Sequence, residues 1–126
     1  MRRILAGLLA LILTGNGLVM LLAGAWWYGA VPGVTETGPF NPHFVQDIGA
    51  AYLVSGAAMS LLAARGAAWI PAAQAGAAFL ALHALIHLKD AAGGHHAGAD
   101  LIRDAAGVYL LPLLSIWAAW PAKRSA

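Results

Sequence analysis

From Ile4 to Tyr28 the chain runs for about 25 residues without a charged side chain, and three further stretches are nearly as apolar. Phe44 to Ala64 carries one charge, Asp47. Ala67 to Leu88 is interrupted by Gln74, His83 and His87, and Leu101 to Trp120 has its charges, Arg103 and Asp104, in the first turn. A helix that spans a bilayer needs about 20 mostly apolar residues. Within hydrocarbon every backbone N–H and C=O must be paired inside the protein, which leaves helices and closed barrels. Barrel strands alternate apolar and polar residues, and these runs do not. The expected fold is therefore an all-α bundle of four transmembrane helices over about 4–28, 44–64, 67–88 and 101–120. Together they form one membrane domain across residues 1–126.

The connections support that division. Val31 to His43 is rich in Pro, Gly and Thr, Arg65-Gly66 makes a tight turn, and Ala91 to Ala99 is rich in Gly and Ala. Trp26, Trp27, Tyr28, Trp69 and Trp120 fall near predicted helix ends, where aromatic belts form. Pro112, inside the fourth helix, removes a backbone donor and predicts a kink.

Composition narrows the function classes. The chain is 61% hydrophobic and 10% charged, against about 25% charged residues in ordinary soluble domains. Without cysteine there is no disulfide scaffold, thiolate metal site, haem-attachment motif or thiol redox chemistry. The sequence pI is near 9.4, but the basic residues sit singly or in pairs at segment ends. No patch grips phosphates, so nucleic acid is not an expected partner. Membrane lipid is, together with a homo-oligomer or a larger membrane complex.

Four crossings put both termini on one side with Arg2, Arg3, Arg65, Lys123 and Arg124, leaving Lys89 and Arg103 on the other. The positive-inside rule then reads N-in and C-in, in an inner or plasma membrane. Arg2-Arg3 with the apolar run also has the outline of a signal peptide, and Ala23-Gly24-Ala25 would suit cleavage. The run exceeds the usual core of about 7–15 residues, so the first helix is expected to be retained.

This topology sorts the ionisable groups. All five histidines (His43, His83, His87, His95, His96) and all five acids (Glu36, Asp47, Asp90, Asp100, Asp104) fall at the outer end. His43 and Asp47 lie four apart at the start of helix two. His83, His87 and Asp90 make one stripe on helix three, and Asp100 and Asp104 lie four apart on helix four. If the three stripes converge, His83, His87, His43, Asp47 and Asp104 become candidate metal ligands, because imidazole with carboxylate suits zinc, iron, copper or manganese. Ionisable side chains in a membrane cost about 2.5–3.5 kcal/mol each and mark functional sites. The structural alternatives are helix-dipole placement of the aspartates, an Asp47–Arg103 salt bridge, a packed His83, and a solvated His95-His96 pair. Asn16, between Gly15 and Gly17, reads as an interhelical contact, and Gly49, Gly56 and Ser60 as a close-packing face.

The segment Asp47-Ile48-Gly49-Ala50-Ala51-Tyr52-Leu53-Val54-Ser55-Gly56 resembles the second helix of small four-helix membrane proteins of the DoxX-like group. A polar residue precedes a glycine there, followed by an aliphatic or aromatic stretch and a second glycine. The motif covers about ten residues and the helix plan most of the chain; the His83/His87/Asp90 stripe has no place in that pattern. The resemblance implies the four-helix fold, and the group includes subunits linked to quinone-coupled oxidation.

Three functions fit these observations. The first is a metal- or haem-binding protein serving as a redox or metal-handling accessory. A haem would need histidines on facing helices, such as His43 opposite His83 or His87, with Arg103 near its propionates. The second is a non-catalytic subunit or scaffold whose polar cluster fixes helix register. The third is a quinone- or lipid-binding enzyme or a small transporter; the inner half offers little polar path beyond Gln74 and Ser60, and no hydrolase spacing is present.

Overall fold

The computed structural model describes residues 1–93 and 97–121; His95, His96, Lys123 and Arg124 lie outside them. Among the described residues six α-helices follow one another: α1 (Arg2–Leu22), α2 (Gly24–Ala30), α3 (Pro42–Arg65), α4 (Ile70–Gly93), α5 (Ala97–Asp104) and α6 (Leu111–Ala118). A π-helical segment, Ala105–Leu110, joins α5 to α6, and 3₁₀ turns occupy Val34–Glu36 and Gly66–Trp69. No strand occurs among the described residues. The expected all-α architecture of four helical rods is present, each rod differing in detail from its predicted span.

The first rod breaks at Ala23, whose φ and ψ of −138° and 40° leave the helical region. The bend lets the Trp27 indole donate back to Asn16 Oδ1 at 2.8 Å, which satisfies a polar side chain set among apolar neighbours. Asn41 starts α3 by accepting from the Phe44 N–H at 3.1 Å, with Pro42 in the first turn; its missing N–H costs nothing there. Gly66, at φ 75°, ends α3, and the 3₁₀ turn reverses the chain into α4. A π segment, Ala105–Leu110, ends two residues before Pro112, the position where the sequence suggested a kink. Proline has no N–H to return and its ring crowds the preceding turn, so the ladder there shifts to wider pairing.

Packing closes a ring in which α1 contacts α3 and α6, and α4 contacts α3 and α6. Leu9, Leu13, Met20, Tyr52, Met59, Leu62 and Leu80 fill its centre. Large apolar side chains also point outward, among them Ile4, Leu11, Leu22, Val54, Leu82 and Ile102. Among the described residues three segments are long and apolar enough to cross a membrane: Arg2–Leu22, Pro42–Gly93 and Gly98–Ala118. The second is folded back on itself at the Gly66 turn.

One end of the ring is basic. Arg3 donates to the carbonyls of Ala63 and Ala64 at 2.7 and 2.6 Å, supplying partners for carbonyls that the last turn of α3 leaves open. Arg2 donates to Trp120 O at 2.7 Å and lies over the Trp117 ring. Glu36, Asp47, Asp90, Asp100 and Asp104 all belong to segments at the opposite end.

The tightest packing is between α1 and α3. A methyl group added at Gly17 would stand 2.7 Å from Gly49 O, and one at Gly49 would stand 2.8 Å from Met20 Cβ and 3.1 Å from Gly17 O. Backbone meets backbone here, so neither position tolerates a side chain without separating the helices. Gly56 makes a similar approach to Thr14, while the expected third member of this face, Ser60, is exposed. Gly17→Ala should lower stability by about 1–3 kcal/mol, the usual cost of overpacking. Gly15→Ala on the same helix, where an added methyl meets nothing within 4 Å, should not. Thermal unfolding of the two variants in detergent checks the contrast.

Candidate functional site

The α4 helix supplies an aromatic ladder. Phe79, His83 and His87 succeed one another at four-residue spacing, which places them on one face. The Phe79 and His83 rings lie nearly parallel, 20° apart with centroids at 6.3 Å. His83 and His87 meet at 4.7 Å and 66°. Tyr52 of α3 stands edge-on to both Phe79 and His83, at 5.7 and 6.3 Å. His83 is thus enclosed between rings, and His87 is the rung that reaches the polar end.

His87 Nδ1 lies 2.8 Å from Asp104 Oδ2. Asp104, with a side chain 8% exposed, is the one buried charged residue among the described residues, and a buried carboxylate has to be paired. Arg103 provides the pairing, donating from Nε to Asp104 Oδ1 at 2.9 Å and from Nη2 to Oδ2 at 3.4 Å. Its Nη1 reaches Asp100 Oδ1 at 3.0 Å and Glu36 Oε2 at 3.1 Å. One guanidinium therefore holds three carboxylates from α5 and from the Val34–Glu36 turn. The residual charge is negative, which favours a cation or a protonated imidazole nearby.

Arg103 can take this position because of Gly33. A methyl group at Gly33 would stand 2.5 Å from the guanidinium carbon, and its φ of 82° belongs to the left-handed region. Glycine alone meets both demands without strain.

In a neutral His87 ring the Nδ1 proton goes to the carboxylate, and Nε2 keeps its lone pair. Carboxylate-to-imidazole hydrogen bonds of this kind fix the tautomer and orientation of metal-binding histidines and raise their basicity. Tyr109, in the π segment five residues beyond Asp104, has a buried hydroxyl without a hydrogen-bond partner among the described residues.

Of the five candidate ligands, the structure brings together His83, His87 and Asp104. His43 and Asp47 form a separate pair, 3.5 Å apart with side chains 86% and 64% exposed. The reason is angular. Val45 and Gly49 are buried, and at about 100° per residue Asp47 points away from both. Accordingly the alternative of an Asp47–Arg103 bridge is not realised either; Arg103 is taken by Asp104, Asp100 and Glu36. Asp90 is exposed, and the His95-His96 pair lies outside the described residues. Among the described residues no three His, Asp or Glu side chains converge as metal ligands.

Sequence reasoning missed Glu36, Gly33 and the ring contacts of Tyr52 and Phe79. The Phe79/His83/His87 spacing could have revealed one of these; Glu36 and Gly33 are joined to Arg103 by long-range folding alone. No protein-family description, curated protein or solved structure matches this chain.

The two ends of the Arg103 network should differ sharply in weight. Arg103→Gln leaves Asp104 buried without its cation and should cost about 3 kcal/mol or more. Glu36, 73% exposed, contributes as a surface pair does, so Glu36→Gln should cost less than about 1 kcal/mol. Unfolding midpoints of the two variants in the same detergent read the difference.

Proposed function

We propose that the chain crosses the cell membrane four times with both termini inside, and that His83 and His87 hold one transition-metal ion at the outer end. In this reading the protein serves as a redox or metal-handling accessory. The observation that carries it is the His87 Nδ1–Asp104 bond of 2.8 Å. It presents Nε2 as the basic atom and makes Asp104 the group that orients a ligand, while Arg103 occupies the carboxylate oxygens. His83 stands one helical turn away, the spacing at which two histidines of one helix share an ion. Solvent or an exogenous ligand completes the coordination, as open metal sites require. The negative excess around Arg103 attracts the cation.

A metal ion suits the geometry better than haem. His83 and His87 lie on one face of one helix and cannot take opposite sides of a porphyrin. His43, which would have faced them, is exposed beside Asp47.

The test is elemental analysis of untagged protein purified in detergent, before and after loading with zinc, copper or iron. About one ion per chain is expected, lost in His87→Ala and reduced in His83→Ala, with Asp104→Asn weakening affinity about 10–100-fold as outer-shell changes do. A second reading, a scaffold whose polar cluster sets helix register, is favoured by the full engagement of Asp104 with Arg103 and His87. It expects metal-free protein whose same variants lose thermal stability alone.

Topology has its own check, helped by the absence of cysteine. In intact cells an impermeant maleimide should label Thr37→Cys and leave Ala67→Cys unlabelled until the membrane is opened. The reverse pattern would invert the orientation.

A further inference from the structure

On the outside of the α1–α3 pair a groove of about 680 Å³ runs between the helices. It begins at Leu18 and Gly15, passes Ser60 and Gly7, and ends at Ala63 and Ala64. Small residues open it: an added methyl at Gly15 meets nothing within 4 Å, and one at Gly7 meets only Ala63 Cβ at 3.9 Å. From Gly7 to Leu18 it extends roughly 16 Å along α1 at 1.5 Å per residue. That is about half of the ~30 Å hydrocarbon core, the depth of one leaflet.

The Ala63–Ala64 end of this groove lies beside two arginines. Arg3 is held there by its two bonds to the carbonyls of Ala63 and Ala64, which leave Nη1 outside them. Arg65 follows Ala64 directly, and both arginines are exposed. No Asp or Glu belongs to this end, since all five lie in segments at the other. An apolar slot one leaflet deep, with two exposed arginines beside one end and no acid there, fits a phospholipid with a negative headgroup. Basic sites between helices on the inner side recognise such headgroups.

We infer that this groove binds an anionic phospholipid of the inner leaflet, one acyl chain lying along Gly7, Gly15 and Ser60 and the phosphate on Arg3 and Arg65. The site rests on the membrane-spanning reading and is independent of any metal at the other end.

The experiment compares thermal unfolding of the full chain in detergent with added dioleoyl phosphatidylglycerol or dioleoyl phosphatidylcholine. Flotation with liposomes after an alkaline carbonate wash, done first, reads membrane integration; protein that fails to float overturns both readings together. For floating wild type, phosphatidylglycerol should raise Tm by several degrees more than phosphatidylcholine. Arg3→Gln/Arg65→Gln should erase that difference, each shift being measured against the lipid-free variant. Gly15→Leu, whose side chain enters open space, should fold and lose the shift with both lipids. Equal shifts with the two lipids in wild type, or a full phosphatidylglycerol shift in Gly15→Leu, would overturn the site. So would light scattering that shows Gly15→Leu turning a dimer into a monomer, because the groove would then belong to a second copy.

Discussion

The close approach of α1 to α3 is the constraint on which the arrangement depends. In the membrane setting proposed above, lipid tails are as apolar as leucine, so helices gain little by burying apolar surface against each other. What holds them is dispersion over surfaces that fit, and fit is best where backbones touch. Gly17 against Gly49 provides that contact. It sets the rotation of α3, and that rotation decides which of its residues face inward. Tyr52 turns toward α4, where it meets Phe79 and His83, and Asp47 turns outward beside His43. The ring of helices and the composition of the polar site share this origin.

The polar site shows how a low-dielectric interior is kept habitable for charge. Asp104 is buried, and both its oxygens are engaged by one guanidinium and one imidazole. Arg103 spends its remaining donors on two carboxylates nearer the surface. Charge therefore grades from the enclosed His83, through His87 and Asp104, to the exposed Glu36. Such a gradient delivers an imidazole with a defined tautomer to the edge of the bundle, which an isolated histidine could not maintain.

Much of the fold was legible in the sequence because the helices are long and their boundaries are chemical. The Asn41-Pro42 start and the Arg65-Gly66 stop lie within two residues of the expected limits. The break at Ala23 was not legible, since the contact that accompanies it joins residues eleven apart, Trp27 and Asn16. The site divided in the same way. His83 with His87 is a local relation and could be read from spacing. The partnership of Arg103 with Glu36 spans the chain, and no periodicity encodes it. Asp47 misled because a four-residue spacing to His43 identifies a shared face without saying which way the face looks. The buried neighbours of α3, Val45 and Gly49, hold that information, and it becomes readable only once the crossing with α1 is known.

The π segment at Ala105–Leu110 has a consequence for how the chain tolerates change in length. A π turn holds one residue more than the α turn it replaces, and the surplus is absorbed locally. Asp104 stays aimed at His87 while Pro112, Ser115 and Ala118 keep their buried face. The two halves of the fourth rod are thus out of helical phase with each other and joined by a slack turn. Losing or gaining a residue there changes the slack, whereas the same event in α1 or α3 would rotate everything beyond it by about 100°. The π segment is thus a place within a packed rod where an insertion is mechanically quiet, and it lies between the polar site and the packing that holds the last helix.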